Sequence, residues 1–302
     1  MNKKHRLIIT GSNGFLGQHL ADYLSQREFE VFGLSRGDNQ NMITSKLNYS
    51  SVDLTNNNAV KEAIETIKPD IIIHNAAMSK PDSCHNNREE CMLQNVAATN
   101  YLLEASLTIN PYFLYISTDF IFGEDGPHSE DDKPNPLNFY GKSKLFAEEA
   151  VKSSGLNYGI VRPVFIYGPS YGNMRPTFLH WVKNNLEQGK GIKVVSDQQR
   201  TPTYVYDICQ GILSMIEKRV NGVVHLAGKD IVSPYQMAIA VAKELNLNPD
   251  LIGPVTSETF PEPVIRAKKS GLKIEKAKEQ LGYDPVSFEE GIKLTFMNKS
   301  KL

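Results

Sequence analysis

Short apolar runs alternate with longer stretches of helical period through the first half of the chain. The runs Leu7–Thr10, Val31–Leu34, Asp70–His74, Phe113–Ser117 and Tyr158–Arg162 predict strands. Several are almost continuously apolar, as strands covered on both faces are. Another strand is expected to end at Val52-Asp53-Leu54. Between the runs, Leu16, Leu20, Tyr23 and Leu24 share one helical face, and Val60, Ala63, Ile64 and Ile67 share a second that Pro69 ends. Val96, Tyr101, Leu102 and Ala105 form a third, stopped before Pro111. Strands and helices in this alternation predict an α/β fold with a doubly wound parallel sheet.

Beyond Gly168 the chain breaks into shorter pieces. Helices are predicted over Thr177–Glu187, Val205–Lys218 and Pro234–Leu245, a strand over Val223–Leu226, and short helical stretches at Ile274–Leu281 and Phe288–Phe296. The expected division is a sheet domain over residues 1–168 and a smaller lobe over 169–302. The strand and helix near 205–230 are expected to return to the main sheet. Glu130-Asp131-Asp132-Lys133 reads as a solvated loop.

Charge narrows the class. Lys and Arg total 33 against 34 Asp and Glu, so the basic excess typical of sequence-independent nucleic-acid binding is missing. No stretch approaches the roughly 20 apolar residues of a membrane span, and the apolar run after Arg6 is too short for a signal-peptide core. The 3 cysteines make an odd count, which argues against a disulfide framework. Cys84, His85 and Cys91 lack a fourth ligand, so no metal site is expected. A cytoplasmic, globular protein follows, with no nucleic-acid or membrane partner.

Candidate chemistry begins at Thr10-Gly11-Ser12-Asn13-Gly14-Phe15-Leu16-Gly17, between the first strand and the first helix. In that context Gly11 permits a tight turn, Gly14 lets a pyrophosphate approach the backbone, and Gly17 lets helix pack on strand. Free amides and the helix dipole would hold the phosphates. After the second strand, Ser35 and Arg36 stand where an acid would favour NAD. A hydroxyl and a guanidinium suit a 2′-phosphate instead, so NADP(H) is the favoured cofactor and NAD(H) the alternative; the competing reading of Arg36 is that it stacks on adenine from a solvated loop. Asp53, beside Leu54, reads either as an acceptor for the adenine amino group or as a cap for the next helix.

Tyr140-Gly141-Lys142-Ser143-Lys144 places a phenol and an ammonium one helical turn apart. A lysine about 5 Å away would lower the phenol pKa by roughly two, bringing it within reach of general acid–base work. Thr118 follows a strand in Tyr115-Ile116-Ser117-Thr118-Asp119, where a hydroxyl faces the ligand crevice of a parallel sheet. Asp119 reads either as a third catalytic group or as a residue that orients the neighbouring loop.

These segments together resemble the extended short-chain dehydrogenase/reductases. The likeness runs through Thr10–Gly17, Asn75-Ala76-Ala77, Asn95-Val96, Thr118, Tyr140–Lys144, Arg162-Pro163 and Tyr167-Gly168-Pro169. It implies a Rossmann-type sheet with a C-terminal substrate lobe and a catalytic set of Thr118, Tyr140 and Lys144. It also implies cofactor contacts at Asn75, Ala76, Ala77 and Pro163, with Asn95 supporting the site. Within the superfamily, Ser117-Thr118-Asp119-Phe120-Ile121-Phe122, Pro136-Leu137-Asn138-Phe139-Tyr140-Gly141 and Asp197-Gln198 with Pro202-Thr203 are similar to the dTDP-4-dehydrorhamnose reductases. The regulatory β subunits of methionine adenosyltransferase share these runs.

Two positions depart from the reductase pattern: Phe165 replaces a tryptophan, and Phe120 a tyrosine. Phe165, Asp119, Arg175, Arg200 and Arg266 are the candidate substrate residues, the arginines as clamps for a pyrophosphate. The resemblance implies an NADPH-preferring reductase of a nucleotide-linked 4-keto-6-deoxy sugar, for which a homodimer is an open option. Its alternatives are a sugar-nucleotide epimerase and a non-catalytic NADP-binding regulatory subunit.

Overall fold

The computed structural model describes residues 4–172, 174, 176–260 and 263–297. The first half supplies β1 (His5–Thr10), β2 (Phe29–Ser35), β3 (Asn48–Ser51), β4 (Ile71–His74), β5 (Tyr112–Ile116) and β6 (Tyr158–Arg162). Then come β7 (Ile166–Tyr167), β8 (Ile192–Val195), β9 (Thr203–Tyr204), β10 (Gly222–His225) and β11 (Ile252–Val255). The main sheet is parallel, in the order β10-β6-β5-β4-β1-β2-β3. β7 pairs with β9 and β8 with β11 in two small sheets.

Side-chain alternation explains the continuous apolar runs. Leu7 and Ile9, Ile71 and Ile73, and Leu114 and Ile116 enter the core layer on one face of the sheet. Ile8, Ile72, Phe113 and Tyr115 enter the layer on the other. A third cluster, including Leu179, Val182, Ile192, Val194 and Val241, lies under the small sheets. The chain winds outward through β2 and β3, then returns to the far side of β1 at β4. That reversal opens a crevice at the carboxyl ends of β1 and β4.

The register puts Thr10 beside His74. Thr10 Oγ1 accepts the Asn75 and Ala76 amides at 3.1 and 3.0 Å, so its own proton goes to His74 Nδ1 at 2.8 Å. His74 Nε2–H then donates to Thr99 Oγ1 at 2.9 Å, and Thr99 donates to Asn95 O at 2.7 Å. Burial, helped by Lys144, lowers the His74 pKa to about 3. The ring therefore stays neutral and fixes the loop after β4 against the glycine turn.

Two expectations need correction. The strand expected to end at Leu54 stops at Ser51, and Val52 continues only through its amide to Ser35 O at 2.9 Å. Val96 does not lie on the buried face of its helix. Residues Leu93–Ala97 form a π turn, which shifts the register so that Asn95 and Ala98 face inward and Val96 is only half-buried. No helix among the described residues is long and apolar enough to cross a membrane.

Candidate active site

The glycine turn makes one end of a cleft of about 830 Å³. Gly11 has φ +66°, and a Cβ there would lie 2.8 Å from Ala76 Cα; a Cβ on Gly17 would lie 2.2 Å from Gly11 O. Gly11 thus brings the turn against the loop after β4, while Gly17 brings the helix Phe15–Ser25 onto the turn and does not itself face the cleft. That helix begins at Gly14 without a side-chain cap. Its first amides, at Phe15 and Leu16 on the cleft wall, remain available to an anion.

Asn13, Gly14, Ser35, Arg36, Asp53, Leu54, Asn75, Ala76, Ala77 and Pro163 also line the cleft. Several are engaged with the protein. The Asn13 amide donates to Ser35 Oγ at 3.1 Å, its side-chain nitrogen to Asp38 O at 2.9 Å, and its oxygen accepts from Gln40 N at 2.9 Å. Asn13 thereby braces the loop after β2. Arg36 is exposed at the rim. Asp53 accepts from Thr55 N and Oγ1 at 3.0 and 2.8 Å. The Thr55 amide is the main reason its carboxyl sits below the usual range, and Arg36 adds to the effect. The cap of the following helix is Asn56 rather than Asp53.

Thr118 lies just beyond β5, where its Oγ1 accepts Phe120 N at 3.3 Å and caps the short turn Asp119–Ile121. Opposite stands the helix Phe139–Lys152, whose Asn138 cap accepts Gly141 N at 3.0 Å. A Cβ on Gly141 would fall 2.0 Å from Phe120 O. Only glycine lets the helix sit this close to the turn and set Tyr140 beside Thr118. Asn95 is buried behind them and does not line the cleft. It accepts Met78 N at 2.7 Å and donates to Ser143 Oγ at 2.9 Å, tying the π turn to the Tyr140 helix.

Thr118, Tyr140 and Lys144 all line the cleft, but the electrostatics differ from expectation. Burial pushes the Tyr140 phenol up, and the hydrogen-bonded Thr118 hydroxyl only partly offsets this. Burial likewise lowers Lys144 to about 7 against the pull of Glu148. Its Nζ donates to Ile116 O at 2.7 Å and lies 4.1 Å from the centre of the Tyr115 ring. A Coulomb sum at fixed dielectric omits the desolvation of both groups, and desolvation dominates here. Tyr140 therefore holds its proton at neutral pH.

Asp119 and Phe165 lie on the same cleft. Phe165 has φ +38°, a strained conformation for an aromatic residue, and packs against Phe178 with ring centres 5.9 Å apart. Both rings also wall a second cavity of about 410 Å³, which contains Arg200 and Arg266. Arg200 donates to Gln198 Oε1, and Arg266 pairs with Asp82 at 3.0 Å. Arg175 lies outside the described residues. Sequence reading missed Ser79 and Gln94 in the first cavity and Trp181 and Phe260 in the second. An exposed tryptophan on an amphipathic helix was the signal for Trp181. Cys84 and Cys91 pack on Tyr140, and among the described residues no group of three or more His, Cys, Asp or Glu is arranged to hold a metal.

The model of the RmlD substrate binding domain family matches residues 5–300. The chain belongs to this family. As an RmlD-type chain it is 31% identical over 301 residues to the dTDP-4-dehydrorhamnose reductase of Aggregatibacter actinomycetemcomitans, covering 95% of this chain and 97% of that protein. It is 30% identical over 271 residues to methionine adenosyltransferase 2 subunit beta of Bos taurus, covering 87% and 78%. The crystal structure of the Bacillus anthracis dTDP-4-dehydrorhamnose reductase in complex with NADP superposes with a TM-score of 0.86 at 30% identity, over 97% of this chain and 99% of that one. Reductase relatives make this an RmlD-type oxidoreductase fold with a dinucleotide crevice, and the β-subunit relatives leave catalysis to be tested.

Proposed function

We propose that the protein is an NADPH-preferring reductase of a nucleotide-linked 4-keto-6-deoxy sugar. The observation that carries this is the placement of Thr118, Tyr140 and Lys144 on the same cleft as the uncapped glycine turn, next to an arginine-bearing cavity. The uncapped amides and the close approach at Gly11 fit a dinucleotide pyrophosphate. Bound there, a nicotinamide cofactor supplies a hydride to the carbonyl carbon. Thr118 holds the carbonyl oxygen, and Tyr140, protonated because it is buried, delivers the proton. Lys144 anchors the cofactor ribose from the Tyr140 helix. Arg200 and Arg266 take the substrate pyrophosphate, and Phe165 and Phe178 wall the sugar. Residues 1–168 act as the cofactor domain and 169–302 as the substrate lobe, with β10 returning to the main sheet.

NADPH oxidation measured over a panel of keto-sugar nucleotides tests this reading. Turnover of a 4-keto-6-deoxy substrate is the expected result; interconversion without net NADPH consumption would point to an epimerase. Similarity to methionine adenosyltransferase 2 subunit beta supports a second reading, a regulatory subunit, which predicts no turnover on any sugar nucleotide. Cofactor choice has its own test. Arg36→Ala removes an exposed charged donor, so the NADPH KM should rise about 10–30-fold while the NADH KM stays near its starting value.

A further inference from the structure

Asp119 is buried on the wall of the first cavity, 7% exposed, and the reaction outlined above leaves it without a role. Its Oδ1 lies 3.3 Å from Thr118 Oγ1. A threonine hydroxyl has one proton and two lone pairs. Here a lone pair takes Phe120 N–H, and the single proton goes to Asp119. With that proton committed, Thr118 cannot donate to a substrate carbonyl while Asp119 remains a carboxylate.

The groups facing Asp119 come from four elements. Thr118 is its chain neighbour, Tyr140 lies on the opposing helix, Ser270, whose hydroxyl donates to Gln199 O at 3.2 Å, lies on the later loop, and Arg200 acts on it electrostatically from the second cavity. Burial raises the Asp119 pKa and Arg200 is the main opposing influence; Asp119 in turn supports the charge on buried Arg200, which Arg266 disfavours. The carboxylate thus depends on a guanidinium that lines the neighbouring cavity.

We infer that Asp119 is a positioning residue that couples occupation of the arginine cavity to the catalytic hydroxyls. A pyrophosphate held by Arg200 neutralises its charge, and Asp119 takes up one proton from solvent. The new carboxylic O–H then donates to Thr118 Oγ1, so the Thr118 proton is released from Asp119. Thr118 and Tyr140 are both left free to donate to the carbonyl oxygen. This inference rests on the reading above that the second cavity takes the substrate pyrophosphate.

The test is calorimetry of dTDP-rhamnose binding to protein saturated with NADP, between about pH 5 and 8, in buffers of different ionisation enthalpy. The pyrophosphate of this ligand is esterified at both ends and does not titrate in that range, so a proton taken up belongs to the protein–NADP complex, and the Asp119→Asn comparison separates the carboxyl from the NADP 2′-phosphate. Wild-type protein should take up as much as about one proton per site, and Kd should weaken toward tenfold per pH unit where uptake is greatest. Asp119→Asn keeps shape and an acceptor for Thr118 but cannot titrate; its uptake should be lost and its Kd should become flat with pH. A purely structural Asp119 would leave the proton count unchanged. Equal uptake in both proteins overturns the coupling. Absence of uptake in the wild type at every pH overturns it without any variant. Failure of dTDP-rhamnose to bind at all would instead remove the pyrophosphate reading, and the coupling with it.

Discussion

Replacing Tyr140 by phenylalanine is expected to lower turnover about 10²–10⁴-fold while leaving the NADPH dissociation constant nearly unchanged. The substitution removes one oxygen from a side chain that is already buried against Cys84 and Cys91, so it opens no cavity of consequence. It does remove the hydroxyl proposed as the proton donor. In the proposed reaction Thr118 does not replace it, because its proton is assigned to holding the carbonyl oxygen. Burial raises the phenol pKa, which keeps Tyr140 in the protonated form that reduction needs and leaves little of the phenolate that the reverse reaction needs. The loss should therefore appear in kcat for reduction, measured by NADPH absorbance, with cofactor affinity followed separately by fluorescence titration. Turnover near the wild-type level would exclude Tyr140 as the donor.

Much of this arrangement could be read from local sequence. Period-two and period-3.6 patterns report burial face directly, so most strands of the main sheet, though not β3, and the helix Val205–Lys218 are located closely. The glycine turn and the Tyr140–Lys144 pair are short-range geometry and were legible for the same reason. What escaped depends on distant partners. The π turn at Leu93–Ala97 exists because Asn95 finds Met78 and Ser143, and no local pattern encodes that choice. The pairing of β8 with β11 joins segments about 60 residues apart. Glu130, read as part of a solvated loop, is half-buried with a side chain only 8% exposed, and it accepts the His225 amide at 2.9 Å. Charge is the clearest case. Tyr140 and Lys144 were correctly paired on one helix, but the state of each depends on desolvation, which only the packed structure reveals.

That same desolvation makes Glu148 the residue whose loss should most damage the fold. Two turns beyond Tyr140 and one beyond Lys144, it meets Arg162 in a two-pronged ion pair, Nε to Oε1 at 2.9 Å and Nη2 to Oε2 at 2.7 Å. Both side chains are essentially inaccessible to solvent. Arg162 also donates to Glu130 O and contacts His225, which joins β6 to β10 at the end of the sheet. Glu148→Ala leaves the guanidinium buried without its carboxylate, at a cost of about 3–5 kcal/mol. For a chain of this size that should lower Tm by on the order of 10 °C. Burial pushes the Glu148 carboxyl up, but Arg162 outweighs it and holds the pKa below the usual range. The stabilisation is therefore complete above the ordinary glutamate value near ~4.3 and is lost as pH falls through the folded value. Glu148→Gln should remove this component of acid sensitivity, which a comparison of Tm against pH for the two proteins would isolate. Glu148 is also the main influence that keeps Lys144 charged. Its neutralisation should move Lys144 below about 7, and the activity that depends on the ammonium should then decline at a lower pH than in the wild type. If Glu148→Gln matched the wild type in both acid stability and the pH dependence of turnover, the buried ion pair would support neither the sheet nor the site.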